Sequence, residues 1–152
     1  MRRKDKEITD RDVIDSIIKE STVCRLGLSE ENQPYIVPLS FGYDGSALFF
    51  HGALDGKKMD ILKKNNNVCF ELESDFSVVE SAKACNWSIR YRSVIGFGKA
   101  HIVEGIDSRR RALDIIMKHY SEKSFESPEG SARKTAVIRV DIEEVSGKTS
   151  GY

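Results

Sequence analysis

The residues best suited to hold a ligand follow the segment Pro34 to Gly52, where Asp55-Gly56-Lys57-Lys58 stands at the expected start of a helix. A helix start carries unpaired backbone N–H groups and about half a positive charge. Two lysines beside a glycine there make a small anion site suited to a phosphate. The same Gly-Lys-Lys also suits a solvated helix end whose lysines only serve solubility. Upstream, one face of Pro34 to Tyr43 is small: Pro38 and Gly42 leave room and Ser40 offers a hydroxyl, as a flat ring lying against backbone requires. Pro38 equally suits a sheet edge, where it blocks further strand pairing. His51 precedes the lysines by a few residues and could hydrogen-bond or exchange a proton with a bound ring near neutral pH, or serve as a structural strand-end residue.

Arg90 and Arg92 alternate with Tyr91 and Ser93, so either guanidinium could fork onto a phosphate or simply line a solvated edge. Trp87 suits stacking on a ring, the core or a subunit contact. His101 and His119 have no companion ligands nearby in sequence and read as structural or surface groups. There is no G-x-S-x-G elbow, H-E-x-x-H, Walker lysine loop or G-x-G-x-x-G at a strand-to-helix junction; Gly96-Phe97-Gly98 lies in a strand.

The elements that must carry these residues follow from periodicity. Val13, Ile14, Ile17 and Ile18 predict a helix over 9–20, with Thr9 placed to cap it. Cys24, Leu26 and Leu28 share one face of a first strand, and 29–33 reads as a polar turn. The second strand, Pro34 to Tyr43, puts Tyr35, Val37, Leu39, Phe41 and Tyr43 on a bulky face opposite the small one. Asp44-Gly45 predicts a hairpin into a third strand, Ala47 to Gly52. A short helix over 54–64 stops at the Asn65-Asn66-Asn67 run, and Val68, Phe70 and Leu72 mark a fourth strand. The stretch 74–86 reads as loop, and 87–104 as one long strand that Gly96 and Gly98 bulge or bend. A helix over 108–120, a polar loop with Pro128 and Gly130, and a sixth strand over 135–142 complete the chain. Six strands on short turns with three helices predict an α+β, mainly β domain built on a small antiparallel barrel.

The chain has 152 residues with no internal repeat or long linker, so the sequence predicts one domain over 1–152. Lysine plus arginine equals aspartate plus glutamate at 24 each, so no overall field points to nucleic acid or an anionic membrane. No apolar run approaches the ~20 residues that span a bilayer, and acidic residues interrupt the basic start before any signal-like stretch. Cys24, Cys69 and Cys85 are odd in number without metal-ligand spacing, which argues against a disulfide framework or a zinc site. The expectation is a cytoplasmic protein with reduced thiols and no metal.

Three runs in order carry a resemblance: Ile36-Val37-Pro38-Leu39-Ser40-Phe41, then Phe49-Phe50-His51-Gly52-Ala53 with Gly56-Lys57-Lys58, then Tyr91 through Ala100. Together they resemble the pyridoxamine-phosphate-oxidase-like flavoproteins, and more closely their nitroimidazole-resistance branch, from about Ile14 to Lys148. The resemblance implies a six-stranded split-barrel homodimer holding FMN at the subunit interface. By position, Pro38, Leu39, Ser40 and Phe41 would line the isoalloxazine, while Lys57 and Lys58 would hold the phosphate. His51 would stand near the reactive face of the flavin. Tyr91, Arg92, Ser93 and Val94 would complete the pocket from the partner subunit, with Lys148 as a further phosphate ligand. The implied activity is reduction of a small electrophile, such as a nitro-aromatic compound, by electrons from NAD(P)H or another donor. A flavin carrier or redox sensor is the alternative, as is a related split barrel that holds haem, through His51 or His101, or a deazaflavin. True pyridoxamine-phosphate oxidases end in an arginine- and tryptophan-bearing segment; here Trp87 is the only tryptophan, which disfavours vitamin B6 oxidation.

Overall fold

A computed structural model describes residues 3–125 and 127–152. The chain forms β1 (Glu7–Ile8), α1 (Arg11–Glu20), β2 (Cys24–Glu30), β3 (Gln33–Leu39), β4 (Phe41–Tyr43), β5 (Ala47–Gly52) and α2 (Lys57–Lys64). It continues through β6 (Asn67–Val79), β7 (Ser88–Ile102), α3 (Ile106–Tyr120), α4 (Glu129–Arg133) and β8 (Ala136–Ser150). All strand pairs are antiparallel, and the sheet runs β3-β2-β6-β7-β8-β5-β4, with β1 added to β8. β3 and β4 stand at opposite ends of that path, yet only Ser40 separates them in the chain. Two Cα steps reach at most ~7.6 Å, so the sheet must roll until its ends meet, and the barrel follows from connectivity.

The described residues thus hold eight strands, where periodicity predicts six. One expected strand, Pro34 to Tyr43, breaks at Ser40 because the Phe41 N–H leaves the ladder and donates to the Tyr120 hydroxyl at 2.9 Å. β1 is only two residues long, too short for a period to show. The expected loop over 74–86 is partly strand: β6 runs to Val79, with a register shift between Ser74 and Ser77. The expected last strand extends from Ile142 to Ser150, and the short α4 lies in the expected polar loop. Asp10, rather than Thr9, caps α1 by accepting from the Asp12 N–H at 2.9 Å. The turn of the β2–β3 hairpin narrows to Glu31 and Asn32, both at positive φ as a two-residue type I′ turn needs.

The bulky strand faces point inward as expected. Leu26, Phe41, Leu48, Phe50, Phe70, Leu72, Val94 and Ile138 fill the barrel. Two helices complete this core: α1 contributes Ile14, Ile17 and Ile18, and α2 contributes Met59, Ile61 and Leu62. Gly96 makes room for the Phe70 ring, whose Cζ lies 2.2 Å from where a Cβ would stand.

α3 covers the outer face of β4 and β5, where Ala112 and Ile116 pack with Ala47, Phe49 and Val137. It sits so close that a Cβ on Gly42 would fall 2.6 Å from the Ile116 backbone nitrogen. The obstacle is backbone, so Gly42→Ala must push the helix outward. A stability loss of about 3 kcal/mol is expected in denaturant unfolding at matched protein concentration. A loss below about 1 kcal/mol would mean that α3 rides free of the sheet.

Candidate functional site

The expected site residues fall into three groups. The first is the break between β3 and β4. Pro38 and Ser40 are exposed on the outer face, whereas Leu39 is half-buried against the core and Phe41 is fully buried. The end of α3 pins this break: Tyr120 takes the Phe41 N–H and donates to the Thr22 carbonyl at 2.8 Å. His119 lies 2.7 Å from the Ser21 carbonyl through Nε2 and packs its ring on Phe41 at 4.2 Å. Pro38 is exposed on β3, the end strand of the path, the placement that its reading as an edge-strand residue expects.

The second group gathers where β5 passes into α2. Phe41 pairs with Phe50, so extending that register by one residue sets Ser40 opposite His51, both on the outer face. Gly56 starts α2 at φ +111°, a conformation glycine adopts without strain, and no side chain caps the helix. The first N–H groups of α2 therefore have no side-chain acceptor. Lys57 lies over the Tyr35 ring at 4.6 Å, a contact that nothing in the sequence spacing signals. Lys58 folds back over Gly52, where a Cβ would stand 2.9 Å from its Nζ. It is half-buried, and burial alone pushes its ammonium below the usual lysine range. Among the described residues no hydrogen bond or ion pair satisfies it. A partly desolvated cation beside open helix N–H groups fits a phosphate, so the residues present suit the phosphate end of FMN.

The third group lies across the sheet. Lys148 sits opposite Ser93 in register, with its Nζ 5.7 Å from the centre of the Tyr91 ring. Arg92 points to the other face, where it meets Asp75 at 3.4 Å and the Tyr152 ring at 4.7 Å. Val94 is fully buried in the barrel. One row of paired residues runs Leu39, Cys24, Leu72, Val94, so three strand spacings, ~14 Å, separate this group from the first. One chain therefore does not join the two halves of the expected pocket.

Between those halves no helix among the described residues covers the outer face of β3, β2, β6 and β7. Ile36, Ile95 and Phe97 are 67%, 48% and 52% exposed, with Pro38 and Cys69 exposed beside them. Arg25 bridges Glu71 and Glu73 on the neighbouring strand, both at 3.0 Å, at the centre of this surface. Beyond the barrel, β6 and β7 form an arm that carries exposed Val78 and Ile89 as a register pair. Trp87 at its end lies outside the core and donates from Nε1 to the Ser81 carbonyl.

A second feature that sequence reasoning misses is a groove of about 340 Å³ between α3, α4 and the end of β5, with His51 in its lining. Its walls come from three separate segments, and no local spacing announces it.

No curated protein matches the chain. Among solved structures, one of a protein assigned as a 5-nitroimidazole antibiotic resistance protein from Bacteroides thetaiotaomicron superposes with a TM-score of 0.85 at 34% identity, covering 94% of this chain and 86% of that one. The FAD and heme binding protein from Mycobacterium smegmatis gives 0.86 at 22% identity, covering 97% and 74%. The flavocytochrome Anf3 from Azotobacter vinelandii gives 0.85 at 19%, covering 100% and 72%; these two share the fold. The sequence profile described as pyridoxamine 5'-phosphate oxidase matches residues 10–149. The chain thus belongs to the pyridoxamine 5'-phosphate oxidase family of split barrels, and within it is related to the nitroimidazole-resistance branch.

Proposed function

We propose that this protein is a flavoprotein, a single domain over 1–152 that binds FMN as a homodimer and reduces a small electrophile. The observation that carries the reading is Lys58, a half-buried ammonium that has no anionic partner among the described residues and is set at an uncapped helix start. Lys57 and Lys58 hold the phosphate, with Lys148 as a further cation. Pro38 and Ser40 present the small face for the ring, with Leu39 and Phe41 fixing the backbone behind them. Tyr91 and Ser93 reach the ring from a second copy, with Arg92 and Val94 shaping the strand that carries them. The bare outer face, with Ile36, Ile95, Phe97, Val78 and Ile89 exposed, supplies the apolar surface such a dimer needs.

When bound, FMN supplies two-electron transfer between a donor such as NAD(P)H and the acceptor. His51, beside Ser40 on the outer face, orients the acceptor and hands it a proton. No helix among the described residues is long and apolar enough to cross a membrane. We place the protein in the cytoplasm, where such donors are found. The haem alternative finds less support: His101 Nε2 is engaged by Asp141 at 3.3 Å.

The purified protein is expected to show flavin bands near ~370 and ~450 nm and to release FMN on denaturation. NADH or NADPH should bleach those bands within seconds, and His51→Ala should keep the bands while slowing reoxidation by an acceptor about 100-fold. Bleaching slower than minutes with both donors would favour a flavin carrier or sensor. A colourless protein that takes up no added FMN would end the flavin reading.

A further inference from the structure

We propose that Tyr120, the last residue of α3, is a positioning residue for the flavin ring: its hydroxyl stands in for one rung of the sheet and holds open the split at Ser40. β2 and β3 pair in register as far as Cys24 opposite Leu39. Continuing that register by two residues sets Phe41 opposite Thr22, where an unbroken antiparallel ladder would bond the Phe41 N–H directly to the Thr22 carbonyl. The Tyr120 hydroxyl occupies that place instead, accepting from the Phe41 N–H at 2.9 Å and donating to the Thr22 carbonyl at 2.8 Å. Two hydrogen bonds in series hold the backbones farther apart than one can, so the ladder parts without leaving either group unpaired. Ser40, between the two strands, pairs with neither Val23 nor His51, and its side chain is exposed.

The phenol is set there by its surroundings. His119, the residue before it, takes the preceding carbonyl, that of Ser21, at 2.7 Å through Nε2, so successive residues of α3 hold successive carbonyls between α1 and β2. The His119 ring lies 4.2 Å from that of Phe41 and edge-on to that of Tyr120 at 4.8 Å. Burial pushes the Tyr120 phenol above the ordinary tyrosine range, so it keeps the proton it donates to Thr22 throughout the neutral range. A flat ring with a polar edge needs such a gap, because backbone groups spent on a ladder cannot turn to a ligand. That the ligand is a flavin rests on the proposed function; the inserted hydroxyl does not.

Tyr120→Phe tests this, with FMN and riboflavin as ligands. Tyr120 is 42% exposed, so the change removes one oxygen without opening the core, and the remaining ring keeps the ladder from closing. The Phe41 amide should then exchange with deuterated water at least tenfold faster, and both flavins should bind about tenfold more weakly, because the defect lies at the ring and not at the phosphate. The absorption maxima of the bound flavin should shift as well. Val68→Ala, in the barrel core away from the split, should lower stability but leave both affinities within about twofold. A Phe41 amide that exchanges as in the parent would overturn the inserted rung. Fast exchange with parent-like flavin binding, a loss confined to FMN, or equal losses in Val68→Ala would overturn the positioning role. A parent protein that binds neither flavin, yet shows the exchange difference, would sink the flavin reading and the positioning role with it, leaving the split as a feature of the fold alone.

Discussion

Lys58→Ala is expected to weaken FMN binding about 100-fold while leaving riboflavin, which lacks the phosphate, within about twofold. A hydrogen bond to a charged group is worth about 1.5–3 kcal/mol, and each 1.4 kcal/mol is tenfold in affinity. Lys58 belongs at the upper end, because it is already half desolvated and no carboxylate competes for it among the described residues. The same unpartnered burial makes the lysine no asset to the empty fold, so the variant should be at least as stable as the parent. Flavin fluorescence quenching with the two ligands reads the difference. Equal losses for FMN and riboflavin would place Lys58 at the ring instead of the phosphate. The depressed ammonium also sets a direction with pH: its charge is lost at lower pH than an ordinary lysine's, so FMN affinity should begin to fall correspondingly early as pH rises.

Phe97→Asp is expected to split the dimer and take FMN binding with it. Phe97 stands half-exposed on the bare outer face, between Cys69 on β6 and Glu144 on β8. An added carboxylate there has water available in the single chain, so the fold should survive with unchanged far-ultraviolet circular dichroism. In a two-fold interface each substitution occurs twice, and a central aromatic is worth about 2 kcal/mol per copy. The dimer dissociation constant should therefore rise about 1000-fold, visible by sedimentation. FMN affinity should fall in parallel, because Tyr91 and Ser93 lie ~14 Å of sheet away from Pro38 and Ser40 within one chain. A variant that stays a tight FMN-loaded dimer would show that the interface lies elsewhere.

What the sequence made legible was whatever depends on a core. Tyr35, Val37, Leu39 and Phe41 fall on one face in period two because that side of the strand faces a packed interior, and the structure keeps that face inward while Ile36, Pro38 and Ser40 stand exposed. Legibility fades where strands leave the barrel. Between Ser74 and Val79 the strand is mostly exposed on both faces, and from Glu143 to Ser150 only Val145 and the buried Gly147 mark the core side, too few for a period-two pattern to show. The break at Ser40 was hidden for a different reason: it is fixed by Tyr120, 79 residues away in sequence. The lysines at α2 were visible through their glycine, but the Tyr35 ring beneath Lys57 and the walls of the groove come from distant segments that only folding brings together.

The place of β8 in the sheet bears on how the protein is made. β8, which follows every strand it pairs with in the chain, lies between β7 and β5, and it also holds β1. Until β8 is in place, β7 and β5 each present an open edge and the barrel cannot shut. A chain cut before Ala136 is therefore expected to expose the β7 and β5 edges and to aggregate rather than fold into a smaller stable protein.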